Sequence, residues 1–324
     1  MLARLLFTVL VLTSLTLPSA NADSYEIVNV PKVSGIPWFN RMKDGVEQAG
    51  NELDVNAYQV GPASADPAQQ VKIIEDLIAK GVDAITVVPN DAKVLEPVFE
   101  KARQAGILVL TQEAPDQKGA AWDVETIDST LYAQRVMDEL ATQIGGKGGY
   151  VIYVGSLTVP LHNFWADAAI AYQKKKYPEM YQVTSRMPVA ESIDASYSAT
   201  LDLMKAHPDM KGIIGFGSLG PIGAGQALKK KRAGKKIAVV GIMMPAQSYP
   251  YLRKGDIRMG FLWDPKDAGY ALTVIADKIL KGETIDESLT IGDLGKASID
   301  SENHVIRFNK ILEVTKDNAR SLGF

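Results

Sequence analysis

The sequence alternates between short apolar runs and longer amphipathic segments, and this alternation constrains the fold more than any other feature. The first three apolar runs have the length of buried strands: 27–30, 84–88 and 107–110. Three further segments carry apolar residues at helical spacing: 41–53, 68–80 and 92–105. Strands that alternate with helices form a parallel sheet with helices on both faces. The sequence therefore predicts an α/β fold.

The same alternation starts again after about residue 130. Its predicted strands are 149–155, 211–215 and 237–241. Its predicted helices are 164–176, 197–206 and 222–231. Two successive α/β units, in a chain of 324 residues, indicate two similar lobes, each a parallel sheet flanked by helices.

The last third of the chain does not begin a third unit. A strand at 258–263 and a helix at 266–281 precede short alternations over 288–315. Such pieces complete the earlier sheets, so the chain crosses between the lobes more than once and forms a multi-strand hinge. We expect one lobe to hold residues 23–128 with 262–290, and the other to hold residues 129–261 with 291–324.

Residues 1–22 have the composition of a signal peptide. Arg4 supplies the positive charge, residues 5–17 form an apolar run, and Ala20-Asn21-Ala22 provides a cleavage site. The apolar run is shorter than the roughly 20 residues of a membrane span, so we expect cleavage, with a retained anchor as the alternative. The chain has no cysteine, which excludes a disulfide framework and a lipid-bearing cysteine. The sequence predicts a monomer in a bacterial periplasm.

Charge and motif patterns point away from nucleic acid, metal and nucleotide ligands. The formal net charge is -3, and the basic run 229–236 is expected to be a solvated turn. Residues 215–220 match G-x-G-x-x-G, but the acidic residue of a dinucleotide site is missing, which favours a tight loop. The three histidines lack metal-ligand spacing. We expect no nucleic-acid partner, no cofactor, no metal site and no catalytic residue.

The segment 25–50 joins an apolar run, a polar loop with Trp38 and Phe39, and a helix start. Aromatic residues in such a turn lie at the carboxyl end of a parallel sheet, where α/β proteins bind ligands. In an exported chain, this arrangement indicates a secreted binder of a small molecule.

Longer stretches resemble the type I periplasmic substrate-binding proteins of sugar ABC transporters. Residues 37–53 (PWFNRMKDGVEQAGNEL) and 69–111 resemble the ribose-binding branch. The autoinducer-2-binding and rhamnose-binding branch is more similar still, on four features: Pro31-Lys32, Gly61-Pro62, residues 261–264 (FLWD) and the ending 305–324. The resemblance covers nearly the whole mature chain, and it implies a sugar site between two hinged lobes.

A sugar presents an apolar ring face and a fringe of hydroxyls, so its site needs flat aromatics and hydrogen-bonding groups. The resemblance places Trp38 and Phe39 at ring-stacking positions, and we expect one of the two to pack in the core. Lys32 follows the first strand as a donor, with a solvated loop lysine as the alternative. Glu113 stands where the family commonly has an aspartate that accepts sugar hydroxyls.

The second lobe adds His162, Asn163 and Trp165 at positions where autoinducer-2 binders carry an acid and an amide. The loss of that acid counts against autoinducer-2 itself as the ligand. Phe216 and Ser218 match another ligand-facing position of the family.

Three candidates complete the predicted site. Met243 replaces a common ligand-binding aspartate and favours a ligand with a deoxy or methyl-bearing edge. Trp263 offers a second stacking face. Asp264 is predicted to be a ligand acceptor, a partner for Lys32 or a structural hinge residue.

The resemblance implies a periplasmic solute-binding component that closes on a small sugar or polyol and presents it to an inner-membrane ABC permease. A sensor that reports autoinducer-2 or another ligand to a chemoreceptor has the same fold and site, so it is an alternative. The rival class is an exported carbohydrate-active enzyme. It requires two carboxylates across one cleft, for which Glu113 and Asp264 are the candidate pair.

Overall fold

The computed structural model describes residues 24–324, which form two α/β lobes. The predicted signal peptide, residues 1–22, lies outside the described residues. Each lobe consists of a mostly parallel sheet with helices packed on it, so the predicted fold class is confirmed. Within residues 24–324, no helix has the length and apolar character to cross a membrane.

Seven strands form the sheet of the first lobe. They are β1 (Glu26–Val30), β2 (Asn56–Gln59), β3 (Ala84–Val87), β4 (Leu108–Thr111), β5 (Trp122–Glu125), β14 (Ser298–Asp300) and β15 (Val305–Arg307). Their order across the sheet is β14, β15, β5, β4, β3, β1, β2. Neighbouring strands are parallel except β14 and β15, which form an antiparallel pair. Strands β1 and β3 have a neighbouring strand on each side and are almost wholly buried, as expected for apolar runs covered on both faces.

The second lobe has a sheet of the same kind. Its strands are β6 (Gly148–Val154), β7 (Met180–Gln182), β8 (Met187–Pro188), β9 (Met210–Gly215), β10 (Ala238–Gly241), β11 (Met259–Leu262) and β16 (Leu312–Val314). Their order is β16, β11, β10, β9, β6, β7, and β8 also pairs with β6. Strand β16 is antiparallel to β11, and the other pairs are parallel. A separate two-stranded ribbon joins β12 (Thr290–Ile291) and β13 (Gly295–Lys296).

Nine helices of the described chain cover these sheets. They are α1 (Pro37–Leu53), α2 (Pro67–Lys80), α3 (Ala92–Gln104), α4 (Ser129–Ile144), α5 (Pro160–Lys176), α6 (Ile193–Ala206), α7 (Gly220–Lys231), α8 (Pro245–Leu252) and α9 (Pro265–Leu280). Several begin as their sequence dictates. Asp66 and Asp264 each accept a backbone N–H at the start of a helix whose first residue is proline.

The chain passes between the lobes three times in the described residues: after β5, after β11 and between β15 and β16. The sequence predicts that residues 291–324 belong to the second lobe. Instead, β14 and β15 extend the first sheet through the pairing of β15 with β5, and β16 adds an edge to the second sheet. Short strands at a sheet edge have little periodicity, so their sequence does not reveal which sheet they join.

Helix α9 belongs to the first lobe although it follows a strand of the second. It packs against α1, and two glycines allow the close approach. A Cβ atom on Gly45 would lie 1.9 Å from the carbonyl oxygen of Lys266, and one on Gly269 would lie 2.2 Å from that of Met42. The α1–α9 contact therefore anchors the segment that follows the second crossing to the first helix.

Candidate ligand-binding site

A small cavity lies between the lobes at the carboxyl ends of both sheets. Its volume is about 10 Å³. The first lobe contributes Lys32, Ile36, Trp38, Phe39 and Glu113 to its wall, and the second contributes His162, Glu191, Gly217, Ser218 and Ile242. Open α/β sheets bind ligands at this end of their strands.

Strand ends and helix starts position the polar side chains of the cavity. Lys32 lies two residues beyond β1, and Glu113 lies two residues beyond β4. His162 occupies the first turn of α5, and Glu191 separates β8 from α6. Each group is thus held at the end of a rigid element.

Lys32 is the centre of a buried ionic cluster. Its Nζ donates to Glu113 Oε2 at 2.8 Å and lies 3.6 Å from Glu191 Oε1 of the opposite lobe. The lysine is 2% exposed, so the alternative of a solvated loop lysine is wrong. Burial alone would lower the pKa of Lys32, but the charges of Glu113 and Glu191 raise it above its ordinary value. The ammonium therefore stays charged and links both lobes.

The ring of His162 faces Lys32 with a hydrogen-bond donor. The backbone N–H of Gly155 donates to His162 Nδ1 at 3.0 Å, so the proton of the neutral ring belongs on Nε2. That Nε2 lies 3.0 Å from Lys32 Nζ. Burial, followed by the Lys32 charge, holds the pKa of His162 well below its ordinary value, which keeps the ring neutral. The Nε2–H of His162 thus faces a second donor, the Lys32 ammonium, rather than an acceptor.

Glu113 adopts a backbone conformation that is rare for residues with a side chain. Its φ angle is 63°, in the left-handed region. The following residue, Ala114, donates its backbone N–H to Asp123 Oδ1 at 3.0 Å and holds the loop in place. From this strained backbone, the Glu113 carboxylate reaches Lys32, and strained residues of this kind concentrate at functional sites.

Of the predicted stacking residues, Trp38 and Phe39 line the cavity, and both are buried. Helix α1 begins at Pro37, so these two residues lie in its first turn rather than in a polar loop. Trp165, Phe216 and Trp263 are fully buried behind the cavity wall and do not line it.

The aromatic residues behind the wall support the groups in front. Trp165 stacks on His162 with ring centroids 5.6 Å apart and an interplanar angle of 22°. Phe216 packs on Trp165 at 5.9 Å, and Trp263 meets Trp38 at 5.1 Å. These rings fix the orientation of His162 and Trp38.

The remaining predicted residues differ in whether they line the cavity. Ser218 lines it, but Asn163 does not, because its amide donates to the carbonyl oxygens of Ser156 at 3.0 Å and Val159 at 2.8 Å. Met243 is buried against Gly260, so its apolar side chain does not shape the cavity. Met243 therefore gives no reason to expect a ligand with a deoxy or methyl-bearing edge.

Of the three alternative roles predicted for Asp264, the pairing with Lys32 is wrong. Asp264 caps α9 and accepts two hydrogen bonds from Arg41, at 2.9 and 2.7 Å. The carboxylate that shares Lys32 with Glu113 is Glu191, which our sequence reasoning missed. The strand that precedes Glu191, β8, has only two residues and gives no periodic pattern. The available signal was an acidic residue immediately before Ser192, the residue that caps α6.

Comparison with known families agrees with this architecture. The model of the family described as "Periplasmic binding protein domain" matches residues 27–284. The chain belongs to the periplasmic binding protein family. In this periplasmic binding protein, the matched range includes every residue that lines the cavity.

Curated relatives of this periplasmic binding protein are themselves named as binding proteins. The ribose import binding protein RbsB of Bacillus subtilis is 22% identical over 277 residues, which cover 84% of this chain and 88% of the relative. The xylitol-binding protein of Mycolicibacterium smegmatis is 27% identical over 317 residues, covering 94% of this chain and 88% of the relative.

Solved structures share the two-lobed fold. LsrB from Clostridium saccharobutylicum, in complex with AI-2, has a TM-score of 0.84 and 21% identity, covering 92% of this chain and 100% of that one. An ABC transporter solute-binding protein from Clostridium phytofermentas, with bound L-rhamnose, has a TM-score of 0.82 and 22% identity, covering 92% and 98%. Each match covers almost the entire length of both chains.

Proposed function

We propose that this protein binds one small sugar or polyol between its lobes in the periplasm and delivers it to an inner-membrane ABC permease. The binding of ribose and xylitol is part of the names of two relatives, and both ligands are small polyhydroxylated molecules. Closure around such a ligand is a hinge motion, in which contacts from both lobes favour the closed form.

The observation that carries this proposal is the mixture of donors and acceptors around the cavity. Lys32 and His162 Nε2 present hydrogen-bond donors, whereas the carboxylates of Glu113 and Glu191 only accept. A hydroxyl group both donates and accepts, so neighbouring hydroxyls of one polyol satisfy both kinds of group. A ligand oxygen beside Lys32 also supplies an acceptor for the Nε2–H of His162, which faces the Lys32 ammonium.

Entry of the ligand requires the lobes to move apart. A cavity of about 10 Å³ accommodates roughly one water molecule, which is much smaller than a sugar. Thr158 Oγ1 donates to the carbonyl oxygen of Asn90 across the cleft at 3.1 Å, and the Lys32–Glu191 contact also crosses it. Opening breaks these interlobe contacts while the Lys32–Glu113 pair stays within the first lobe.

The test is thermal unfolding of the mature protein with a panel of pentoses, hexoses, deoxy sugars, polyols and AI-2. A ligand at 100 times its Kd adds about 2.7 kcal/mol to the free energy of unfolding and raises Tm by several degrees. Lys32→Met should abolish this shift. Lys72→Met, which removes an exposed lysine on α2, should retain it. An unchanged Tm with every compound would contradict the proposal.

The same samples distinguish a binding protein from an enzyme, and a gene deletion distinguishes a transporter from a sensor. Glu113 and Glu191 are the cleft carboxylates that a carbohydrate-active enzyme would use, so the bound compound is recovered and analysed for turnover. We expect unchanged compound. Deletion of the gene should abolish uptake of that compound, and loss of chemotaxis with normal uptake would instead favour the chemoreceptor role.

A further inference from the structure

Glu191 is a cavity carboxylate without a close hydrogen-bond partner in residues 24–324. Its nearest cation is Lys32 at 3.6 Å, beyond a short ion pair, and its side chain is 11% exposed. A Cβ atom on Gly155 would lie 2.7 Å from Glu191 Cγ and 3.0 Å from His162 Nδ1, so this glycine makes room for both side chains. The carboxylate oxygens of Glu191 are therefore available to accept hydrogen bonds from a ligand in the cavity.

The charges around the cavity do not balance. Among the residues that line it in the described chain, Lys32 carries the positive charge, and Glu113 and Glu191 carry negative charges. Glu113 forms an ion pair with Lys32, with Oε2 and Nζ 2.8 Å apart. His162 contributes no charge because its ring is neutral. One cation against two carboxylates leaves the interior of the cleft with a net negative charge, in surroundings that screen it poorly.

We propose that Glu191 determines charge selectivity: the cleft accepts an uncharged polyol and rejects the carboxylate or phosphate derivative of the same carbon skeleton. This inference rests on the proposed function, which it narrows to neutral ligands. A ligand hydroxyl donates a hydrogen bond to Glu191. An anionic group at the same place is repelled by the like charge and has no hydrogen to donate. Lys32 does not rescue the anion, because its charge is already shared by two carboxylates.

The experiment is isothermal titration with matched pairs: D-ribose and D-ribonate, xylitol and D-xylonate, and L-rhamnose and L-rhamnonate. Burial raises the pKa of Glu191, an effect that Lys32 partly offsets, so the titrations are made at pH 8 to keep the carboxylate ionised. For any pair whose neutral member binds, we expect the acid to bind at least 100-fold more weakly. Equal affinity of acid and neutral member in the unmodified protein would overturn the inference.

Variants assign the selectivity to one residue. Glu191→Gln keeps the size of the side chain and removes the charge. The ratio of the Kd of the acid to the Kd of the neutral compound should therefore fall below tenfold. Glu302→Gln, at an exposed position, should leave it unchanged. A ratio that stays at 100-fold or more in Glu191→Gln overturns the role of Glu191. Absence of binding by every neutral compound overturns the proposed function, and this inference with it.

Discussion

Trp38 and Trp263 meet edge to face, with ring centroids 5.1 Å apart and an interplanar angle of 90°. Trp38 belongs to the first turn of α1 in the first lobe, whereas Trp263 directly follows β11 at a crossing between the lobes. Trp165 of the second lobe lies 5.9 Å from Trp263. Three tryptophans therefore form one continuous contact from the cavity wall to the hinge.

This contact predicts an optical signal for ligand binding. The chain has four tryptophans, and Trp122 lies apart from the cluster, beside His304. A ligand that displaces Trp38 or changes the lobe angle should shift the intrinsic fluorescence. Trp122→Phe should retain this change, and Trp38→Phe should lose most of it. A change that survives in Trp38→Phe but disappears in Trp122→Phe would contradict the prediction.

The left-handed conformation of Glu113 predicts an unusual order of stabilities. Glu113→Ala and Glu113→Gly both remove the carboxylate that pairs with Lys32, so the lost ion pair is common to both. Only glycine adopts a φ of 63° without a Cβ penalty, which is about 1 kcal/mol. Glu113→Gly should therefore unfold at a higher urea concentration than Glu113→Ala. The reverse order would show that the loop relaxes in the alanine variant.

Glu125 predicts a dependence of stability on pH. Burial, and then the neighbouring Asp123, raise the pKa of Glu125 well above its ordinary value. A raised folded-state pKa contributes stability at low pH that is lost as the pH rises through that value. Glu125→Gln stays neutral at every pH and does not lose this stability. Its free energy of unfolding, relative to that of the unmodified protein, should therefore increase between pH 5.5 and pH 8.5.

Glu100 supplies the control for the pH experiment. It is exposed, and its hydrogen bond from Arg103 lowers its pKa to about 2, so it stays ionised throughout this range. Glu100→Gln should follow the pH profile of the unmodified protein. If Glu125→Gln follows that profile as well, then Glu125 titrates normally and the predicted pKa shift is wrong.

Gly45 predicts that a usually favourable substitution is harmful. Alanine favours a helix over glycine by about 1 kcal/mol at an unconstrained site. At position 45, however, the added Cβ would lie 1.9 Å from the carbonyl oxygen of Lys266, which forces α1 and α9 apart. Gly45→Ala should lower Tm by several degrees in a thermal scan, whereas Asn51→Ala on the exposed face of α1 should not. A higher Tm for Gly45→Ala would contradict this packing.

The sequence was sufficient to predict the central strands and most helices. Apolar runs such as those of β1 and β3 are buried on both faces, and such runs carry a strong signal. Strand β5 contains Asp123 and Glu125, which are buried although they are acidic. The strand therefore has no apolar run from which it could be predicted. Helix α8 has eight residues with a proline inside it, so its helical pattern is weak.

The candidate site was predictable only in part, for reasons of side-chain direction. Lys32, Glu113 and His162 lie near strand ends or helix starts, and the resemblance identified their positions. Position does not determine where a side chain points: Met243 packs inward against Gly260, and Asp264 turns to Arg41. These choices depend on three-dimensional neighbours that are distant in the sequence.

The three crossings also determine the order in which the lobes are completed during synthesis. The first lobe is begun by β1 but needs α9, β14 and β15 to finish its core and its sheet, and the last of these ends at Arg307. The second lobe builds β6 to β11 from one uninterrupted stretch, 148–262. Apart from the edge strand β16, the elements of the second lobe therefore leave the ribosome before the last elements of the first lobe. Until nearly the whole chain has emerged, the first lobe lacks the elements that complete its core and its sheet.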